Sequence, residues 1–123
     1  MAQVILVVDD EPDMCWIMSN IIQSQGFNVV VATTGEDACF KFAHGEFSMM
    51  FLDAKLPDME GLEVAKYARH LTGRSPCIVM VSGYHYLDDP VVQKAMIEGL
   101  IRDFLPKPFS NEDLIKILRF YTQ

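Results

Sequence analysis

Apolar residues along the chain fall into five short runs, each followed by a stretch whose apolar positions recur at helical spacing. "VILVV" (4–8) is continuous and β-branched, the pattern of a parallel strand buried on both faces. Beyond it Met14, Ile17, Met18, Ile21 and Ile22 repeat at helical intervals, Pro12 suits a first helical turn, and Gly26 suits the position just past the end. "FNVVVA" (27–32) precedes a helix over 34–45, and "FSMMFLD" (47–53) precedes a helix over about 61–71. "PCIVMVS" (76–82) leads to a helix from Pro90 to about Glu98, and "LIRDFL" (100–105) to one from Asn111 to Tyr121. This alternation predicts an α/β fold: a single doubly wound, five-stranded parallel sheet with five helices, distributed over both faces by right-handed crossovers.

Composition narrows the picture. A chain of 123 residues, 50% hydrophobic, suits one domain spanning 1–123 with one substantial core. The net charge of −7 and the scattering of the ten basic residues argue against direct nucleic-acid binding, so any DNA-directed output would lie outside this chain. Cys15, Cys39 and Cys77 form no CxxC pair, which disfavours a zinc site or a disulfide framework and fits a reducing compartment. No basic, signal-like N-terminus and no apolar segment near the roughly 20 residues of a membrane span is present, so the expected location is the cytoplasm.

In open parallel sheets functional groups gather at the carboxyl ends of the strands, near the point where strand order reverses. Those ends carry Asp9 and Asp10, Asp53, Ser82 and, close after the fifth strand, Lys107. Two like charges about 4 Å apart repel by about 4 kcal/mol at an effective dielectric near 20, so a carboxylate cluster calls for a proton or a cation. Oxygen-only donors favour a hard cation, Mg²⁺ (or Mn²⁺), and neither His44 nor His70 stands at a strand end to favour zinc. Taken alone, Asp9, Asp10 and Glu11 read equally well as acidic residues at a helix N-terminus. Asp53, at a second strand end in "FLDAKLPDMEG", favours the cation. Asp58 and Glu60 read as a solvated loop face, and Asp89 as a helix cap before Pro90.

These fragments together resemble a response-regulator receiver domain over essentially the whole chain. "VVDDEP" is similar to that family's acidic pair, "FLDAKLPDMEG" to its phosphoacceptor segment, "MVSG" to its hydroxyl-bearing strand end and "DFLPKPF" to its Lys-Pro segment. The resemblance implies a flavodoxin-like sheet of strand order 2-1-3-4-5 and a cis Lys107-Pro108 bond. It implies that Asp53 accepts a phosphoryl group from a histidine kinase or a histidine phosphotransfer domain. It further implies that Asp10, Asp53 and the Lys55 backbone carbonyl hold Mg²⁺ directly, with Asp9 acting mostly through water. Lys107 would neutralise the transferred oxygens. Ser82 and Phe104 would be the switch, although an aromatic ring at position 104 is more often an ordinary core residue and its switching role rests on the matching position alone.

Cys15 and Trp16 fall where the first helix would ordinarily be polar, and Trp16 and Met18 are the expected partner-selecting residues. The alternative is that Trp16 lies flat over neighbouring apolar surface. A homodimer through the last two helices and strand 5 and an effector domain outside this chain are both compatible with the resemblance. The expected function is a phosphorylatable signalling switch, not an enzyme beyond its own phosphorylation and slow dephosphorylation. A receiver-like protein-binding module that is never phosphorylated is the alternative. A flavodoxin-like cofactor carrier fits less well: a phosphate-bearing cofactor wants glycines and free amides at the first helix, where "DDEP" offers carboxylates and a proline.

Overall fold

The computed structural model describes residues 2–74 and 76–123. Strand β1 (Val4–Val8) lies at the centre of a parallel sheet, flanked by β2 (Asn28–Ala32) and β3 (Met49–Leu52), with β4 (Ile78–Gly83) and β5 (Asp103–Lys107) completing the order β2-β1-β3-β4-β5. This is the expected topology. Residues alternate faces along a strand, so β1 feeds two cores. Ile5 and Val7 pack with Phe51, Val79 and Val81 beneath helices α1 (Pro12–Ser24) and α5 (Asn111–Tyr121). Leu6 and Val8 pack with Met50, Leu52 and Met80 beneath α2 (Gly35–Ala43), α3 (Gly61–Thr72) and α4 (Pro90–Ile97). The central strands are continuous apolar runs because both faces are covered.

The largest shift from the periodicity is in the last strand. Strand β5 spans Asp103–Lys107 rather than 100–105. Leu100 and Ile101 are buried, but their amides bond the Ala95 carbonyl at the end of α4, so they close that helix before Arg102 reaches the sheet. A run of buried apolar residues looks alike in a strand and in a packed connection. The aromatic loop "YHYLDD" is likewise ordered, with a 3₁₀ turn over Tyr84–Asp88 and Asp89 capping α4 through the Val91 amide at 2.8 Å.

Met18 is the clearest correction. It is 1% exposed and packs with Ile22, Phe51 and Leu114, so it cannot select a partner. Cys15 is buried as well, whereas Trp16 is 70% exposed and Ile17 42%. Helical spacing explains this: Cys15, Met18 and Ile22 share one side of α1, with Ile21 beside them, while Trp16 and Ile17 turn away.

The turn after β3 rests on a close approach of two backbones. The Gly61 amide donates to the Ala54 carbonyl at 2.7 Å, and a Cβ at Gly61 would stand 2.1 Å from the Asp53 carbonyl oxygen. Only glycine fits there without moving the Asp53 backbone. Gly61→Ala is expected to cost about 1–3 kcal/mol of stability through forced backbone displacement, read as a lower urea midpoint with an unchanged slope.

Candidate functional site

The register of β1 on β3 pairs Val8 with Leu52, so the next residues, Asp9 and Asp53, emerge side by side at the strand ends. The Asp53 amide donates to the Val8 carbonyl at 3.0 Å and the Asp9 amide to the Ala32 carbonyl at 3.1 Å, which holds both backbones in the sheet. Register on the other side pairs Leu52 with Met80, Ser82 with Pro106 and Gly83 with Lys107. Four strand ends thus deliver Asp9, Asp53, Ser82 and Lys107 to one spot, with Asp10 at its rim.

Within this site, one carboxylate oxygen from each of Asp9, Asp10 and Asp53 lies within 4.8 Å of the others. Asp9 is 2% exposed and both of its oxygens are engaged: Oδ1 accepts from the Glu11 amide at 2.9 Å, and Oδ2 from Lys107 Nζ at 2.7 Å. Asp10 is exposed. Asp53 receives the Ser82 hydroxyl at 3.1 Å on Oδ1 and faces Lys107 Nζ at 3.6 Å across Oδ2, with the Lys55 amide 3.5 Å from Oδ1. The acidic trio does not serve as a conventional helix cap, since Glu11 occupies the N-cap position of α1 without a capping side chain.

The charges are unequally compensated. Burial pushes the Asp53 carboxyl up from its usual range, Lys107 opposes that rise, and Asp9 adds to it. Burial pulls Lys107 down, but its hydrogen bond to Asp9 and the nearby Asp53 carboxylate outweigh this and leave the ammonium firmly protonated. One ammonium among three carboxylates leaves the cluster acidic, and its shortest bond goes to Asp9 rather than Asp53. A hard divalent cation fits this donor set, which offers oxygen ligands only. Cys15 stands nearby, its thiol 3.2 Å from the Asp9 carbonyl, but burial raises its pKa and removes thiolate character.

Ser82 and Phe104, the expected switch pair, occupy inward positions. The Ser82 hydroxyl is turned to Asp53, and Phe104 is 6% exposed in the core beneath α3 and α4. The Lys107-Pro108 bond is cis. Asp58 and Glu60, although exposed, are more than solvated side chains. Asp58 accepts from the Gly35 and Glu36 amides, and Glu60 forms a reciprocal capping box with Glu63 at the start of α3. The S/T/D/N/E-x-x-E spacing at Glu60–Glu63 signals the second. Nothing local signals the first, because its partners lie 22 and 23 residues away.

The family model described as the response regulator receiver domain matches residues 5–119. The chain is 30% identical over 118 residues to the transcriptional regulatory protein TrcR of Mycobacterium tuberculosis, covering 94% of this chain and 43% of that protein. It therefore spans less than half the length of that relative. A CheY-like receiver domain protein from Methanospirillum hungatei superposes with a TM-score of 0.89 at 25% identity, covering 99% of this chain and 94% of that one. Response regulator TrrA from Thermotoga maritima, solved in complex with Mg²⁺ and BeF, superposes with a TM-score of 0.84 at 26% identity, covering 97% and 98% of the two chains.

The raised Asp53 pKa fixes a sign for pH dependence. Its contribution to stability is fully present below the unfolded carboxyl value and is lost as pH rises through the folded one. At neutral pH without metal the ionised carboxylate is therefore a liability. Asp53→Asn is expected to raise the urea midpoint in EDTA at pH 7, and this advantage should shrink as the pH is lowered through the carboxyl range. Mg²⁺ should stabilise the native chain and not the variant.

Proposed function

The chain belongs to the response-regulator receiver family of two-component signalling, and on that premise we propose that it is a phosphorylatable switch whose acceptor is Asp53. The observation that carries this reading is the meeting of Asp9, Asp10 and Asp53 beside Lys107 and Ser82 at the carboxyl ends of the sheet. Phosphoryl transfer asks a protein mainly for an in-line nucleophile and for positive charge near the transferred oxygens. Asp53 supplies the first. One of its oxygens attacks the phosphorus of a phosphohistidine on a kinase or phosphotransfer domain, the P–N bond breaks, and the imidazole leaves with a proton.

Lys107 is already at the acceptor and supplies one positive charge on a flexible stem that can follow the phosphoryl group. Mg²⁺ or Mn²⁺, held by Asp10, Asp53 and the Lys55 carbonyl with Asp9 behind, would supply the remaining neutralisation. Both oxygens of Asp9 are committed to Glu11 and Lys107, which suits a role through water and in orienting Lys107. Ser82 exchanges its bond to Asp53 for one to the phosphoryl oxygen, with Phe104 buried on the neighbouring strand. The buried positions of both residues become the favoured member of a two-state equilibrium. The output surface is α4, β5 and α5, where Ile97 is 87% and Phe120 69% exposed, and it serves a homodimer or an effector domain outside this chain.

Trp16 remains as the partner-selecting residue, beside Ile17 in place of the buried Met18. An exposed aromatic at this position offers a contact for the helices that carry a phosphohistidine.

One experiment with two donors tests the reading. With Mg²⁺ and a small phosphodonor, intact mass should show a single added phosphoryl group, absent in Asp53→Asn and absent in EDTA. Failure of the native chain to gain it would favour a binding module that is not phosphorylated. Trp16→Ala should accept from the small donor at the native rate but several-fold more slowly from its phosphohistidine partner. Equal loss with both donors, or no loss with either, would remove Trp16 from the docking surface.

A further inference from the structure

The hairpin that follows the phosphoacceptor is closed by its own backbone. The Leu56 amide donates to the Met59 carbonyl at 3.0 Å, Lys55 and Glu60 form an antiparallel bridge, and the Gly61 amide bonds the Ala54 carbonyl at 2.7 Å. Its tip is fastened to a different element. Asp58 Oδ1 accepts from the Gly35 amide at 2.7 Å and Oδ2 from the Glu36 amide at 2.9 Å, the first two amides of α2. Thr34 serves the next two, with its side chain accepting from Asp37 and its carbonyl from Ala38. Gly35, Glu36 and Asp37, three of the amides a helix start leaves unpaired, are thereby satisfied from outside the helix, two of them by the phosphoacceptor hairpin.

The next residue adds an apolar contact. A Cβ at Gly35 would stand 2.3 Å from Met59 Cγ, so glycine at the first position of α2 lets the Met59 side chain lie against the helix backbone. The carboxylate and the thioether together grip α2 from adjacent positions of the hairpin. The two amide bonds also hold the Asp58 pKa below the usual carboxylate range, as a charge-assisted pair at a helix N-terminus should.

We infer that Asp58 is a positioning residue for the phosphoacceptor hairpin: by seating its carboxylate on the start of α2 it fixes the segment that carries Lys55 beside the acidic cluster. This rests on the cation-assisted reading of Asp9, Asp10 and Asp53 for its consequence, but not for its geometry. Asp58 touches no reacting group and acts through the hairpin. Loosening the tip should therefore weaken both the hairpin bonds and the binding of a cation that uses the Lys55 carbonyl.

Amide hydrogen exchange on the metal-free chain and Mg²⁺ calorimetry provide the test. In Asp58→Ala, exchange at Leu56 and Gly61 should accelerate about fivefold, as expected for loss of a helix cap, and Mg²⁺ affinity should fall about tenfold, as for loss of an outer support of a metal site. Asp58→Asn, which keeps one acceptor oxygen, should fall between. Asp89→Ala removes a comparable cap from α4 and should leave both amides and the Mg²⁺ affinity at native values. Unchanged exchange at Leu56 and Gly61 in Asp58→Ala, or equal acceleration in Asp89→Ala, overturns the inference. Absence of Mg²⁺ binding by the native chain counts against the cation reading, and the metal-free exchange then decides the role of Asp58 by itself.

Discussion

Mutual repulsion among Asp9, Asp10 and Asp53 is the constraint on which the rest of the site depends. The sheet forces the first and last together, because Val8 is in register with Leu52 and the two backbones are hydrogen-bonded to the strands beside them. Neither carboxylate can withdraw without breaking the ladder. The protein meets this partly with Lys107, which spends its short bond on Asp9 and leaves Asp53 under-compensated. A carboxylate with a raised pKa beside an acidic neighbour is a poorly solvated anion, and such a group gains from any added positive charge. Reactivity and instability here have the same origin.

The scaffold carries that burden because its two cores are independent of the site's electrostatics. Phe51 and Leu52 lead directly to Asp53, are fully buried, and face opposite layers of helices. Asp53 therefore stands at the end of a doubly buried strand and is followed by a tight hairpin. Ser82 reaches the same point from β4, one residue past the strand's last fully apolar position, and Phe104 on β5 pairs with Met80. Ser82 links Asp53 to β4, and Phe104 shares one core with Val92 and Ala95 of α4.

Much of this was legible in the residue order. The alternation of apolar runs with helical patterns gives the class, and strands that end abruptly in Asp9, Asp53 and Ser82 mark the site, since a second strand end in a carboxylate is not explained by the capping of one helix. Strand order and the pairing of motifs came from the family resemblance rather than from periodicity. What stayed hidden depends on long-range contacts. Met18 looked like a surface residue until the orientation of α1 against Phe51 and Leu114 set which side faces inward. Leu100 and Ile101 mimic strand residues because burial, not pairing, selects their apolarity. Asp58 reads as a solvated side chain from local sequence because its partners, Gly35 and Glu36, lie one β-α unit earlier in the chain.

Reductive trapping tests the central assignment most directly. An aspartyl phosphate formed with a small phosphodonor and Mg²⁺ is reduced by borohydride to homoserine, and peptide mass mapping then locates the modified residue. Homoserine at position 53, and at no other carboxylate, is the expected result. Homoserine at position 9 or 10, or an unmodified Asp53 in a chain that has bound the metal, would contradict it.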